Sequence, residues 1–236
     1  MHRAIVLSAM FFSGIAQATV VSSDFESGSL DGWNSIGDVS MFTGDPAVAP
    51  IDGNYSAHMM NGPGSVSDTS IESFLGLSSG ALDSFSSGLA SGTDVNQGSA
   101  MSYTYSGNAG DVVTFDFIYL TDESLNNPNY NDFAFASING LLLVADTYTV
   151  GTNYIADNTS AYWGWASTGV LSFEYTIGST GTIDIGLGVL QVTDPTVNTV
   201  LLVDNFEITA VPVPAAVWMF MSGLGVLGWR YRSKAT

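Results

Sequence analysis

The clearest pattern along the chain is alternation with a period of two, which sends successive side chains to opposite faces of a strand. Over 170–177, Leu171, Phe173, Tyr175 and Ile177 face one way and Ser172, Glu174 and Thr176 the other. Over 182–190, Ile183, Ile185, Leu187 and Val189 oppose Thr182, Asp184, Gly186 and Gly188. Val113, Phe115, Phe117 and Tyr119 make a third such face, and Met101, Tyr103 and Tyr105 a shorter one. The segments 34–42, 54–60, 132–138, 140–146, 162–166 and 200–209 add further candidate strands, separated by Gly, Asn, Asp and Pro. About ten such strands predict an all-β, antiparallel β-sandwich of jelly-roll-like form. One stretch breaks the period: Ser70–Leu75 and Ala81–Phe85 lie on a long Ser/Gly connection and predict a short helical insertion over one sheet, anchored by Phe74, Leu75, Leu77, Leu82 and Phe85.

The two ends follow neither period. Arg3 precedes an apolar run from Ala4 to Ile15, and Ala16-Gln17-Ala18 supplies a small-x-small cleavage site, so residues 1–18 read as a secretory signal peptide cut after Ala18. Val211 to Trp229 is 19 residues without a charge, and at about 1.5 Å per residue it reaches roughly 28 Å, enough to span a bilayer core as a single transmembrane helix. Arg230, Arg232 and Lys234 follow and would hold the C-terminus on the cytoplasmic side. The domain plan is therefore 1–18 signal, 19–210 ectodomain and 211–236 membrane tail.

Composition sharpens this plan through the placement of charge. The chain has 236 residues, with 4 Lys and Arg against 22 Asp and Glu. All the acids lie between Asp24 and Glu207, whereas Thr19 to Trp229 contains no Lys or Arg. A body with no internal cation has no footprint for nucleic acid or an anionic lipid surface. No cysteine is present, which excludes a disulfide scaffold, a cysteine metal site and a thiol enzyme.

Val211-Pro212-Val213-Pro214-Ala215-Ala216-Val217-Trp218, then Ser222-Gly223-Leu224-Gly225 and the basic tail, resembles the PEP-CTERM sorting signal. Val213 stands where the name-giving motif has Glu, and the tail is Arg-Tyr-Arg-Ser-Lys instead of a run of arginines. The resemblance implies processing by signal peptidase and an exosortase-type enzyme of a Gram-negative bacterium, and delivery to the cell surface or an exopolysaccharide matrix. The body resembles ectodomains found before such tails in Ile71–Leu77, Gly98-Ser99-Ala100, Ala109-Gly110-Asp111, Thr121-Asp122-Glu123 and Asn131–Phe135. Asp24–Gly28 with Gly32-Trp33, and Asp204-Asn205-Phe206, look like the first and last strands of carbohydrate-binding jelly rolls.

That second resemblance implies a structural Ca2+ held by Asp24, Glu26 and Asp204. Asp204 shares parity with Val200, Leu202, Phe206 and Ile208, and a carboxylate on an apolar face needs backbone N–H groups, water or a metal, unless a β-bulge turns it outward. Asp122, Glu123, Asn131 and Asp132, with Asn126, Asn127 and Asn129, form an oxygen-rich loop that fits either a weaker calcium site or turn chemistry by Asn and Pro128. Tyr162, Trp163 and Trp165 offer either rings for glycan stacking or core on one strand face.

Catalysis has little to work with. His58 is the one histidine after the signal, stands beside Met59 and Met60, and has no Gly-x-Ser-x-Gly partner motif. A glycoside hydrolase would need two carboxylates about 5–10 Å apart, and the sequence selects no pair. The expectation is a non-enzymatic surface or matrix protein associated with exopolysaccharide or adhesion; the alternative is a polysaccharide-acting hydrolase with paired carboxylates.

Overall fold

The computed structural model describes residues 20–89 and 94–211. The signal-peptide reading with Ala16 and Ala18, and the sorting and membrane readings on Pro212, Val213, Pro214, Arg230 and Arg232, lie outside them. No helix among the described residues is long and apolar enough to cross a membrane.

The unit Val20–Ala210 is an antiparallel β-sandwich with two short helices. One sheet is built on β7 (Val112–Thr121) and β13 (Thr199–Thr209). β10 (Ala166–Ser167) and β11 (Leu171–Thr176) flank β7 end to end. β1 (Val20–Ser23) and β4 (Ser56–Met60) flank β13 in the same way, and β3 (Asp38–Phe42) closes the edge beyond β4. The other sheet runs β2 (Asn34–Ile36), β6 (Val95–Gly107), β12 (Gly181–Val192), β8 (Phe133–Ser137) and β9 (Leu141–Asp146), with β5 (Val66–Ser67) pairing β6 beyond the end of β2.

The main core lies where the inward rows meet: Ala57, Met59, Phe115, Phe117, Tyr119, Leu201 and Val203 from the first sheet against Met101, Ala134, Ala136, Ile183, Ile185 and Leu187 from the second. The expected strand 34–42 is split between the two sheets. Gly37, at φ 85°, carries the chain across, and a Cβ there would stand 2.5 Å from Ser99 Oγ and 2.8 Å from Gly98 O. Ser99 Oγ secures the crossing by accepting from Asp38 N at 2.7 Å and donating to Met60 O at 2.6 Å.

The outer face of each sheet is covered differently. Over the first, the chain around Val48, Ile51, Ile155, Tyr162 and Trp165 packs on Ile118, Leu120, Val200 and Leu202. Over the second lie the helices, α1 (Asp68–Leu75) and α2 (Ala81–Gly88), as the broken period predicted. Ser67 caps α1 by accepting from Ser70 N, and Gly76 ends it in the left-handed conformation. α2 has no cap of its own: Glu72, buried in α1, accepts from Gly80 N and Leu82 N, each at 2.9 Å. Ile71 and Leu82 are fully buried against Ala100, Phe133, Phe135, Leu190 and Val192. Each such side chain is worth about 1.5–3 kcal/mol relative to leaving it in water.

Candidate functional site

The helices cover only part of the second sheet's outer face. The outward row of β6 runs Gly98, Ala100, Ser102, Thr104, and that of β12 runs Leu190, Gly188, Gly186, Asp184, so both change from apolar to polar along the strand. The apolar half lies under α1 and α2; the polar half is open. Cross-strand register aligns Asn34, Ser102, Gly186 and Ser137 in one row, with Thr104 and Asp184 paired in the next. Thr104 Oγ1 donates to Asp184 Oδ1 at 2.8 Å.

The end of α1 forms the wall. Ser73, Phe74, Leu75 and Gly76 stand over this floor and enclose a cleft of about 540 Å³ that Asn34, Ser35, Ser102, Thr104, Asp184 and Gly186 complete. That is the size of ordinary small-ligand sites. Gly186 is needed for the fit: a Cβ there would meet Leu75 Cδ2 at 2.8 Å. The lining is hydroxyls, one amide and one carboxylate beside an aromatic ring, and no Lys or Arg lies among the described residues. Such a surface exchanges hydrogen bonds with a polyhydroxylated ligand and repels anions.

Comparison with known proteins adds little to this geometry. No family model and no curated protein matches the chain. Similar solved structures include the cleaved adhesin domain of Lys-gingipain from Porphyromonas gingivalis, at 14% identity, covering 82% of this chain and 99% of that one, with a TM-score of 0.43. The CBM27-1 module of Caldicellulosiruptor saccharolyticus, solved with mannohexaose, is 12% identical, covering 84% and 100%, with a TM-score of 0.44. The CBM22-1 xylan-binding domain from Paenibacillus barcinonensis is 15% identical, covering 85% and 99%, with a TM-score of 0.38. Likeness at this level bears on neither ligand nor activity.

The residues singled out from the sequence fall in three other places. Asp24 and Glu26 do not stand on the first strand, which is Val20–Ser23; the chain turns at Phe25, buried at φ 54°, and Gly28 N donates back to Phe25 O. Asp24 Oδ1 accepts from Glu26 N, at 3.3 Å. Glu26 accepts from Asn54 N at 2.8 Å, Tyr55 N at 2.9 Å and Asn54 Nδ2 at 3.0 Å, and these bonds, Tyr55's foremost, hold its carboxyl below the usual range. Asp204 shares a face with Val200 and Leu202 but not with Phe206 and Ile208, because the register shifts after Asp204 and Asn205 takes φ 49°. The bulge leaves Asp204 buried. Ser56 Oγ at 2.9 Å, Asp52 N at 3.2 Å and Asn205 N at 2.8 Å donate to it, while burial pushes its carboxyl upward. Glu26 and Asp204 thus grip the segment 52–56, and protein donors supply the compensation that a buried carboxylate requires. No three His, Asp or Glu side chains among the described residues converge as metal ligands.

The Asn-rich loop divides. Asn127 makes a turn, its Oδ1 accepting from Asn129 N at 3.1 Å and its carbonyl from Tyr130 N at 3.2 Å. Asp122 stays exposed, and burial raises its carboxyl. Asn131 is buried with Thr147 and Asp146: it accepts from Thr147 N and Oγ1 and donates to Asp146 Oδ2. Asp132 joins a polar layer that seals one end of the sandwich, where the inward rows of β4, β6, β7, β12 and β13 continue into Asn61, Gln97, Thr121, Gln191 and Thr199. It accepts from Asn61 Nδ2 at 2.8 Å, Thr199 Oγ1 at 2.7 Å and Val192 N at 2.9 Å, yet burial pushes it up to about 8. Glu123 turns in beside this layer, and burial, then the charge of Asp194, push it up to about 7.

Of the expected strand 162–166 only Ala166, the first residue of β10, is in a strand; the aromatic residues 162–165 form a turn, where Trp163 N donates to Ser160 O and Trp165 N to Tyr162 O. Tyr162 is therefore buried, 3.2 Å from His58 Nε2 through its hydroxyl and edge-on to the half-buried Trp165, and has no face for a sugar. Trp163 is 62% exposed and Tyr154 58%. His58 is packed under Phe42 and Tyr162, and desolvation lowers its pKa. The cleft residues escaped notice because Ser102, Thr104 and Asp184 read as an ordinary solvent face. The signal was the run of small residues, Gly98, Ala100, Gly186 and Gly188, along the outward rows.

Proposed function

We propose that this protein is exported, processed at its PEP-CTERM-like tail by an exosortase-type enzyme, and displayed at the cell surface or in the extracellular matrix, where it holds polysaccharide without cleaving it. The observation that carries the binding reading is the open polar half of the second sheet, whose cleft presents Asn34, Ser35, Ser102, Thr104 and Asp184 beside Phe74. A sugar ring offers an apolar face to Phe74 and hydroxyls to the amide, hydroxyls and carboxylate around it. Glycoside hydrolysis by the paired mechanism takes two carboxyl groups, and the cleft lining supplies one, Asp184.

Export rests on the two apolar termini and their flanking charges. Binding is tested by affinity electrophoresis of the purified protein through gels containing the host's exopolysaccharide, with reducing-end release measured alongside. Retardation that is lost in Asn34→Ala and Asp184→Ala, with no release of reducing ends, is expected. Release of reducing ends that Asp184→Ala abolishes would replace the reading with a hydrolase.

A further inference from the structure

We infer that the cleft selects glycans bearing free amines, such as de-N-acetylated hexosamine oligomers, over neutral and acidic ones. The inference rests on the reading of the cleft as a polysaccharide site and adds the charge of its ligand. Asp184 is the one charged group in the lining. Its Oδ1 accepts from Thr104 Oγ1 at 2.8 Å, and its Oδ2 meets no donor among the described residues. No Lys or Arg of the ectodomain is there to neutralise it, since Thr19 to Trp229 contains none.

The surrounding groups, Asn34, Ser35, Ser73, Ser102 and Thr104, are neutral hydrogen-bonding partners that treat one sugar hydroxyl much like another. Discrimination by charge therefore falls to Asp184. An ammonium on the ligand supplies the missing counter-charge, an acetylated nitrogen offers only a neutral N–H, and a uronate places a second carboxylate against the first. The 22 acids of the body act in the same direction at longer range, raising the local concentration of a polycation and repelling a polyanion at low salt.

The test is calorimetric titration of the full-length protein in detergent with three oligosaccharides of equal length: a glucosamine oligomer, its fully N-acetylated form and a uronate oligomer. In about 0.15 M salt, which screens the distant acids, the amine form is expected to bind about 1.5- to fivefold tighter than the acetylated form, the range of an exposed ion pair. The uronate is expected not to bind. The ratio should shrink as salt rises and collapse to one in Asp184→Asn, whose unchanged melting curve would show that it folds. Equal binding of amine and acetylated forms, or a preference that survives in Asp184→Asn, overturns the amine selectivity alone. Binding of none of the three overturns the reading of the cleft itself.

Discussion

Asp132 and Glu26 are two carboxylates that each meet three nitrogen or hydroxyl donors and no cation, and their surroundings give them opposite character. Asp132 lies in the sealed polar layer at the end of the sandwich, and burial outweighs Asn61, Thr199 and Val192, so it holds its proton up to about pH 8. Glu26 stands at the rim in water, where Tyr55 and Asn54 favour the ionised form at little desolvation cost, so it loses its proton early. The contrast shows how an ectodomain without lysine or arginine places acids. At Glu26 amide donors suffice because water helps, and at Asp132, where water is excluded, burial outweighs three donors.

Removing the buried partner should have the largest effect. Asp132→Ala leaves the donors of Asn61, Thr199 and Val192 unmet inside the protein and is expected to cost about 3 kcal/mol in urea unfolding, whereas Asp132→Asn, which keeps an acceptor, should cost less. A loss under about 1 kcal/mol in the alanine variant would mean that the end layer is open to water.

Next in size is the dependence on pH. Asp132 and Glu123 have folded values, about 8 and about 7, above those of the unfolded chain. Their stabilisation is complete below about pH 4 and is lost as pH rises through 7 and 8. Glu26, lowered on folding, works the other way: its share is present above its ordinary value and is lost on acidification. Melting temperature is therefore expected to fall between pH 5 and 9, with a shallower fall in Asp132→Asn. A profile that rises over that interval would contradict the assignment.

The smallest expected effect belongs to the rim. Because Glu26 and Asp204 hold the 52–56 segment through protein donors, a calcium chelator should leave the melting midpoint unchanged, and Glu26→Gln should lower it less than either Asp132 variant. A chelator-induced drop, absent from Glu26→Gln, would show that calcium shares the segment.

Much of this was legible where one period held without interruption. The inward rows of β7, β11 and β12 and the two helices of the insertion follow directly from the spacing of their apolar residues. Asp132 shares parity with Ala134 and Ala136, so its burial was also in the pattern. What failed depended on single residues that reset the period. Gly37 passes one apolar run from sheet to sheet, Phe25 ends the first strand early, and Asn205 reverses the parity that seemed to join Asp204 to Phe206. The turn at Ser160 to Trp165 separated Trp163 from its neighbours for the same reason. The cleft was invisible for another reason: it exists only because α1 ends above a row contributed by β2, β6 and β12, which no local window contains.

The pairing of β1 with β13 sets Val20 opposite Thr209, so the polypeptide enters and leaves this unit at neighbouring points. Along a longer chain the sandwich takes up hardly more length than a loop. It can therefore be spliced between two other segments, or repeated bead by bead, without either flank having to cross the body to reach the next.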